Sequence, residues 1–123
     1  ALTMVDMAQK EILPAVESYA AEMAKNAAAK LAVAPDMPCG YERKLVRRLS
    51  ALADQMEEKT EQLALAMVKL KTVDDIGDEA VMIRDEILPK MNELRVAADE
   101  AETLTADRCW PFPAYGELLF GLR

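Results

Sequence analysis

Apolar residues return at steps of three and four along most of the chain, the spacing that keeps one face of an α-helix out of water. The first such run, Val5, Ala8, Ile12, Ala15, Tyr19 and Met23, predicts a helix over about residues 3–31. Pro35-Asp36-Met37-Pro38-Cys39-Gly40 then breaks the pattern and reads as a loop. The seam resumes at Leu45, Leu49, Leu52, Met56, Leu63 and Leu70, with Lys59 or Thr60 at the one step where an apolar residue is due, which gives a second helix over about 41–71. In Thr72-Val73-Asp74-Asp75 a hydroxyl is followed three residues on by an acid, like a capping box. It opens a third helix over about 74–105, with its seam at Ile76, Ala80, Ile83, Ile87, Met91, Leu94, Ala98 and Ala101.

Three rods of about 45 Å, at 1.5 Å per residue, joined by short connections form an up-down-up bundle with shallow left-handed crossings. That topology puts the end of helix one, the start of helix two and the end of helix three at one pole, so Cys39 and Cys109 become neighbours. Glu11-Ile12-Leu13-Pro14 and Glu86-Ile87-Leu88-Pro89 repeat one motif in helices one and three. A proline inside a helix leaves the carbonyl four residues back without a partner and costs about 3 kcal/mol. Both helices are therefore expected to bend, at Pro14 and Pro89, at about the same level. A bend that wraps the core and a functional hinge are both open readings.

Residues 109–123 break with everything upstream. Trp110, Phe112, Tyr115 and Phe120 are four of the six aromatic residues of the chain, set among Pro111, Pro113 and Gly116. The prolines favour an extended path, so the rings need a surface already built. The expectation is a docking tail whose rings emerge beside Pro35, Met37, Pro38 and Tyr41, with Leu118, Leu119 and Phe120 running back over the helices. It serves either as a lid on the bundle or as an anchor for another domain or subunit.

The 123 residues suffice for one domain, 1–123, and not for two. Hydrophobic content of 52% with 30% charged residues, and a wealth of Ala, Leu, Met, Glu, Lys and Arg against five Thr, two Ser and six aromatic residues, makes the class all-α. A net charge of −7 repels phosphate backbones and anionic membrane surfaces, and the apolar runs are too short to span a bilayer. Neither nucleic acid nor a membrane is an expected partner. The location expected is cytoplasmic, and the pattern already running at Val5 suggests a fragment of a larger subunit.

The chain has no histidine, which removes the usual zinc, di-iron, phosphotransfer and triad chemistries, and its four glycines form no phosphate loop. No catalytic, cofactor-binding or metal-binding residue is predicted, and the acid clusters read as helix starts and solvated faces. Arg43, Lys44, Arg47 and Arg48 make a basic patch at the start of helix two. Counting out from the turn near Thr72 sets Arg47 beside Asp99 and Arg43 beside Glu102, either as a ladder fixing the alignment or as a patch reserved for another subunit or an anion. The two cysteines are expected as free thiols.

In Leu88-Pro89-x-Met91-x-x-Leu94-Arg95-x-x-x-Asp99-x-x-Glu102, leading into Trp110-Pro111-x-Pro113-x-Tyr115-x-x-Leu118-Leu119-Phe120, the sequence resembles the C-terminal region of type III glutamine synthetases. Glu11-Ile12-Leu13-Pro14-Ala15 with Tyr19 looks like that family's entry into the region. The resemblance implies a non-catalytic helical domain of a subunit whose parent joins ammonia to glutamate. ATP and divalent metal would bind in upstream domains that this chain lacks. Its partners would be the rest of its own subunit and neighbouring subunits of a homo-oligomer. A stand-alone cytosolic adaptor that oligomerises through its apolar seams is the alternative.

Overall fold

The structure, a computed structural model, describes residues 2–111. Of the predicted tail, Phe112, Tyr115, Leu118, Leu119 and Phe120 lie outside the described residues. The all-α class holds, with no strand among the described residues. Three rods carry the chain. Helix α1 (residues 2–33) joins α-helical Leu2–Met7, a π turn Ala8–Ile12 and α-helical Leu13–Val33. Helix α2 is Gly40–Leu70. Helix α3 (residues 76–104) joins Ile76–Met82, a π turn Ile83–Ile87 and Leu88–Leu104. A 3-10 turn, Asp107–Cys109, follows.

Where bends are expected, next to Pro14 and Pro89, the helices carry these two π turns. Proline has no N–H, and its ring presses on the carbonyl four residues back, of Lys10 or of Asp85. The residue before each proline bonds one step further back: the Leu13 N–H reaches the Ala8 carbonyl and the Leu88 N–H the Ile83 carbonyl. Widening the turn in this way changes which side chains share a face. Met82 and Ile87, five apart, would sit about 140° apart on an ideal α-helix, yet both are buried, because five residues span roughly one turn of π-helix. Met82 is therefore a core residue that a strict step of three and four passes over.

Ion pairs fix how the rods lie. Lys59 meets Glu93 at 2.9 Å, Lys69 approaches Glu86 at 3.9 Å and Arg48 bonds Glu100, so residue numbers fall along α2 as they rise along α3. Lys30 of α1 reaches Glu42 at the start of α2, while Gln9 and Leu13 lie beside Thr60, Ala64 and Val68 near its end. Helix α2 is thus antiparallel to both neighbours, and the largest fully buried side chains, Leu49, Leu52, Met56 and Leu63, all come from it, with Leu94 of α3 and Val16 of α1. Thr60 takes the step where an apolar residue was due. Its hydroxyl is buried and donates to the Met56 carbonyl at 2.6 Å, so burial leaves no orphaned group.

Three expectations need correction. Helix α3 starts at Ile76, and its cap is Asp75, whose Oδ1 accepts from the N–H groups of Gly77 at 2.7 Å and Asp78 at 3.1 Å. Thr72 instead closes α2, donating to the Lys69 carbonyl at 2.7 Å. A Cβ on Gly77 would lie 3.0 Å from the capping oxygen, so the glycine gives the cap its room. Ile76, placed in the seam by spacing, is 85% exposed, and Ala80 is exposed as well. In the observed register Ile76 would face α2 well past Leu70, where that helix has already ended. In α1 the fully buried residue is Val16, with Ala15 half-buried beside it.

Candidate functional site at the pole of Tyr19, Tyr41 and Trp110

Several contacts between residues far apart in sequence gather at one pole. Three α-helical turns of α1, from Tyr19 to Lys30, collect them. After α3 ends, the 3-10 turn Asp107–Cys109 returns the chain to α1, where the Arg108 guanidinium bonds both carboxylate oxygens of Glu22, through Nη1 to Oε1 at 3.1 Å and through Nη2 to Oε2. The same guanidinium stands 6.0 Å from the centre of the Tyr19 ring, a cation–π distance. A forked donor on a planar carboxylate fixes direction as well as distance, so Arg108 orients the chain that leads into the tail. Trp110 follows, half-buried against the hydrophobic core.

The other side of the pole is the loop from α1 to α2. Lys30 Nζ donates to the Pro38 carbonyl at 3.1 Å and to the Glu42 carboxylate, whose side chain is only 6% exposed. Cys39 is buried, with its thiol 3.7 Å from the Ala27 carbonyl. Both cysteines are free, and both belong to segments held on the same stretch of α1, Cys39 at Ala27 and Cys109 next to Arg108 on Glu22.

The electrostatics follow from these contacts. Hydrogen bonding from Lys30 holds Glu42 below the usual glutamate range, and hydrogen bonding from Arg108 does the same for Glu22. Burial raises the Tyr19 hydroxyl, with Tyr41 beside it adding to the shift. Glu102 is pushed up by burial first and by Asp99 and Asp107 next to it. Thr105, at the C-terminal end of α3, buries a hydroxyl that finds no partner among the described residues. Thr105→Val should therefore stabilise the fold by about 1 kcal/mol, since it removes a desolvated oxygen at nearly constant volume; a lower urea midpoint for the variant would contradict this.

The predicted site residues are divided by the structure. Trp110 is brought to the core. Tyr41, expected in the receiving pocket, stands next to Tyr19 although 68% of it is exposed. The ladder of Arg47 with Asp99 and Arg43 with Glu102 does not form, and Arg48 with Glu100 carries that contact. Neighbouring residues on a helix point about 100° apart, so Arg48 faces α3 and Arg47 faces away from it. Glu102 has Asp99 and Asp107 for neighbours and not Arg43. Sequence reasoning missed Arg108, Glu22 and Lys30, because their pairs join residues with no common periodicity; the acid in the first turn of α2, Glu42, was the one local signal. Among the described residues no group of three or more His, Cys, Asp or Glu could hold a metal ion. No described helix is long and apolar enough to cross a membrane.

No family model matches the chain, and no solved structure does. Two curated proteins do match. A glutamine synthetase of Butyrivibrio fibrisolvens is 28% identical over 122 residues, which is 99% of this chain and 17% of that protein. A type-3 glutamine synthetase of Dictyostelium discoideum is 29% identical over 75 residues, 58% of this chain and 10% of that protein. The chain therefore spans less than a fifth of the length of the relatives it matches. Along almost all of its length this chain is similar to one segment of a glutamine synthetase, and over 58% of it to a segment of a type-3 glutamine synthetase.

Proposed function

We propose that the chain is a non-catalytic helical domain of a type III glutamine synthetase, a cytoplasmic ligase that joins ammonia to glutamate at the expense of ATP. Its work is to support the packing and stability of the subunits. The observation that carries this reading is the extent of the match, which takes in 99% of the chain and only 17% of the relative. A segment that is so small a share of the enzyme, with no histidine and no metal-holding cluster among its described residues, suits a supporting role. ATP and divalent metal belong, on this reading, to other parts of the parent. On this reading the rods form an up-down-up bundle, with Arg108 clasped at one pole.

The test pairs two measurements. The 123-residue chain should release no phosphate from ATP when given glutamate, ammonia and magnesium. In the parent enzyme, removing the segment should lower the assembled mass seen by light scattering. Turnover by the chain alone would end the non-catalytic reading, and a parent that assembles unchanged without the segment would end the packing role.

A further inference from the structure

Helix α2 presents to solvent a stripe that the two other rods leave uncovered. It runs from Gly40 to Leu65 at alternating steps of four and three, the spacing of a coiled-coil seam, and every position on it is exposed, with its last members, Glu61 and Leu65, at the edge of the groove beside Gln9 and Leu13 of α1. Leu49, Leu52 and Leu63 face the core, so this is the opposite side of the same helix. Its charges are sorted. Lys44 and Arg47 occupy the first half, and Glu58 and Glu61 the second, with Ala51 and Asp54 between them. Arg43 and Glu57, one residue away from this stripe, repeat the same division. Within the chain, Arg48 is paired with Glu100 and Lys59 with Glu93, but among the described residues Lys44, Arg47, Glu58 and Glu61 enter no ion pair.

We infer that this face is a homotypic docking surface on which α2 of a second copy lies antiparallel. The charge order is what selects the occupant. Read backwards, the stripe is its own complement: a two-fold axis between Ala51 and Asp54 sets Lys44 against Glu61 of the other copy and Arg47 against Glu58. Symmetry makes each of these pairs twice. Ala51 lies at the crossing, where a small side chain lets the helices approach, and Gly40 falls opposite Leu65, which is 64% exposed in one copy. The parallel arrangement would oppose like charges along the whole stripe, so the face selects orientation as well as partner. Packed this way, α2 would be covered on all sides, with α1 and α3 behind it and its own counterpart in front. The inference stands on the charge pattern of α2 and is independent of the proposed function.

Ion pairs on a solvated seam are weak and screened by salt, which makes the test decisive. Light scattering on the 123-residue chain should give twice the monomer mass at about 0.1 M salt and the monomer mass at about 1 M, where the screening length drops from about 10 Å to about 3 Å. Lys44→Glu with Arg47→Glu should be monomeric at both, as should Glu58→Lys with Glu61→Lys. Mixed in equal amounts, the two variants should restore the double mass, because every opposed pair is then of unlike sign. All four positions are exposed, so helicity by circular dichroism should be unchanged. A wild-type chain that stays monomeric at low salt, a dimer that survives in either variant, or a mixture that stays monomeric would each overturn the inference.

Discussion

Cutting Leu49 back to alanine is expected to cost about 3 kcal/mol of folding free energy, in the range found for fully buried leucines. Leu49 has no exposed surface, and it belongs to the rod that packs closely on both others. The cavity would open between rods whose backbones are held apart by Leu45 and Leu52 on either side, so collapse can recover little of it. A chain of this size should melt roughly 10 °C lower. The paired control is Leu65→Ala, the same chemical change at a site 64% exposed, where an effect below about 0.5 kcal/mol is expected. Equal losses for the two variants in urea titration would mean that the core has been placed on the wrong face of α2.

The second large effect is acid sensitivity. Glu42, Glu22, Glu93 and Glu100 are each held below the ordinary glutamate value of 4.5 by a hydrogen bond from a cation, Lys30, Arg108, Lys59 and Arg48 respectively. A carboxyl with a depressed folded-state value contributes its full stabilisation above the unfolded value and loses it as the pH falls through the depressed one. Stability should therefore be level above about pH 5 and fall as the pH drops below 4.5. Glu102 acts in the opposite sense, since its value is raised and acid relieves its repulsion from Asp99 and Asp107, but it stands against four. Three of the four pairs are well solvated and weigh little; Glu42, with a side chain only 6% exposed, dominates. Glu42→Gln should be less stable than the parent chain at about pH 7, and the gap should close progressively as the pH falls below 4.5. Urea titrations of both proteins across that range check this, and a gap that does not close on acidification would remove Glu42 from its place in the acid response.

What the sequence made legible and what it hid follow one physical division. The rods were readable because a buried face repeats at 3.6 residues whatever it packs against, so Leu45, Leu49, Leu52, Met56 and Leu63 announced themselves before any partner was known. The break at Pro35–Gly40 was readable for the same reason, as a place where that repeat stops. Rotation about a helix axis was not. The charged register missed by a single residue, Arg48 for Arg47, because a one-residue error turns a side chain by about 100°. The π turns were half visible: Pro14 and Pro89 marked the places, but whether a helix answers a missing N–H by bending or by widening depends on its surroundings. Contacts such as Arg108 on Glu22, which join residues far apart in sequence, carry no periodic signal at all. The likeness to type III glutamine synthetases was carried by the specific run from Leu88 to Phe120, and the match to a glutamine synthetase extends over nearly the whole chain.

The paired π turns have a consequence for how sequence length can drift in α1 and α3. A wide turn accommodates one residue more than its neighbours without disturbing the hydrogen-bonded spiral on either side. At Ala8–Ile12 and Ile83–Ile87 the chain thus holds a spare residue that an ordinary helix would have no place to store. Insertions and deletions elsewhere in these rods would swing everything downstream away from α2, whereas here the slack is already taken up locally. The two motifs that end in Pro14 and Pro89 therefore mark where the outer rods can tolerate a change in count and still present the same side to the middle one.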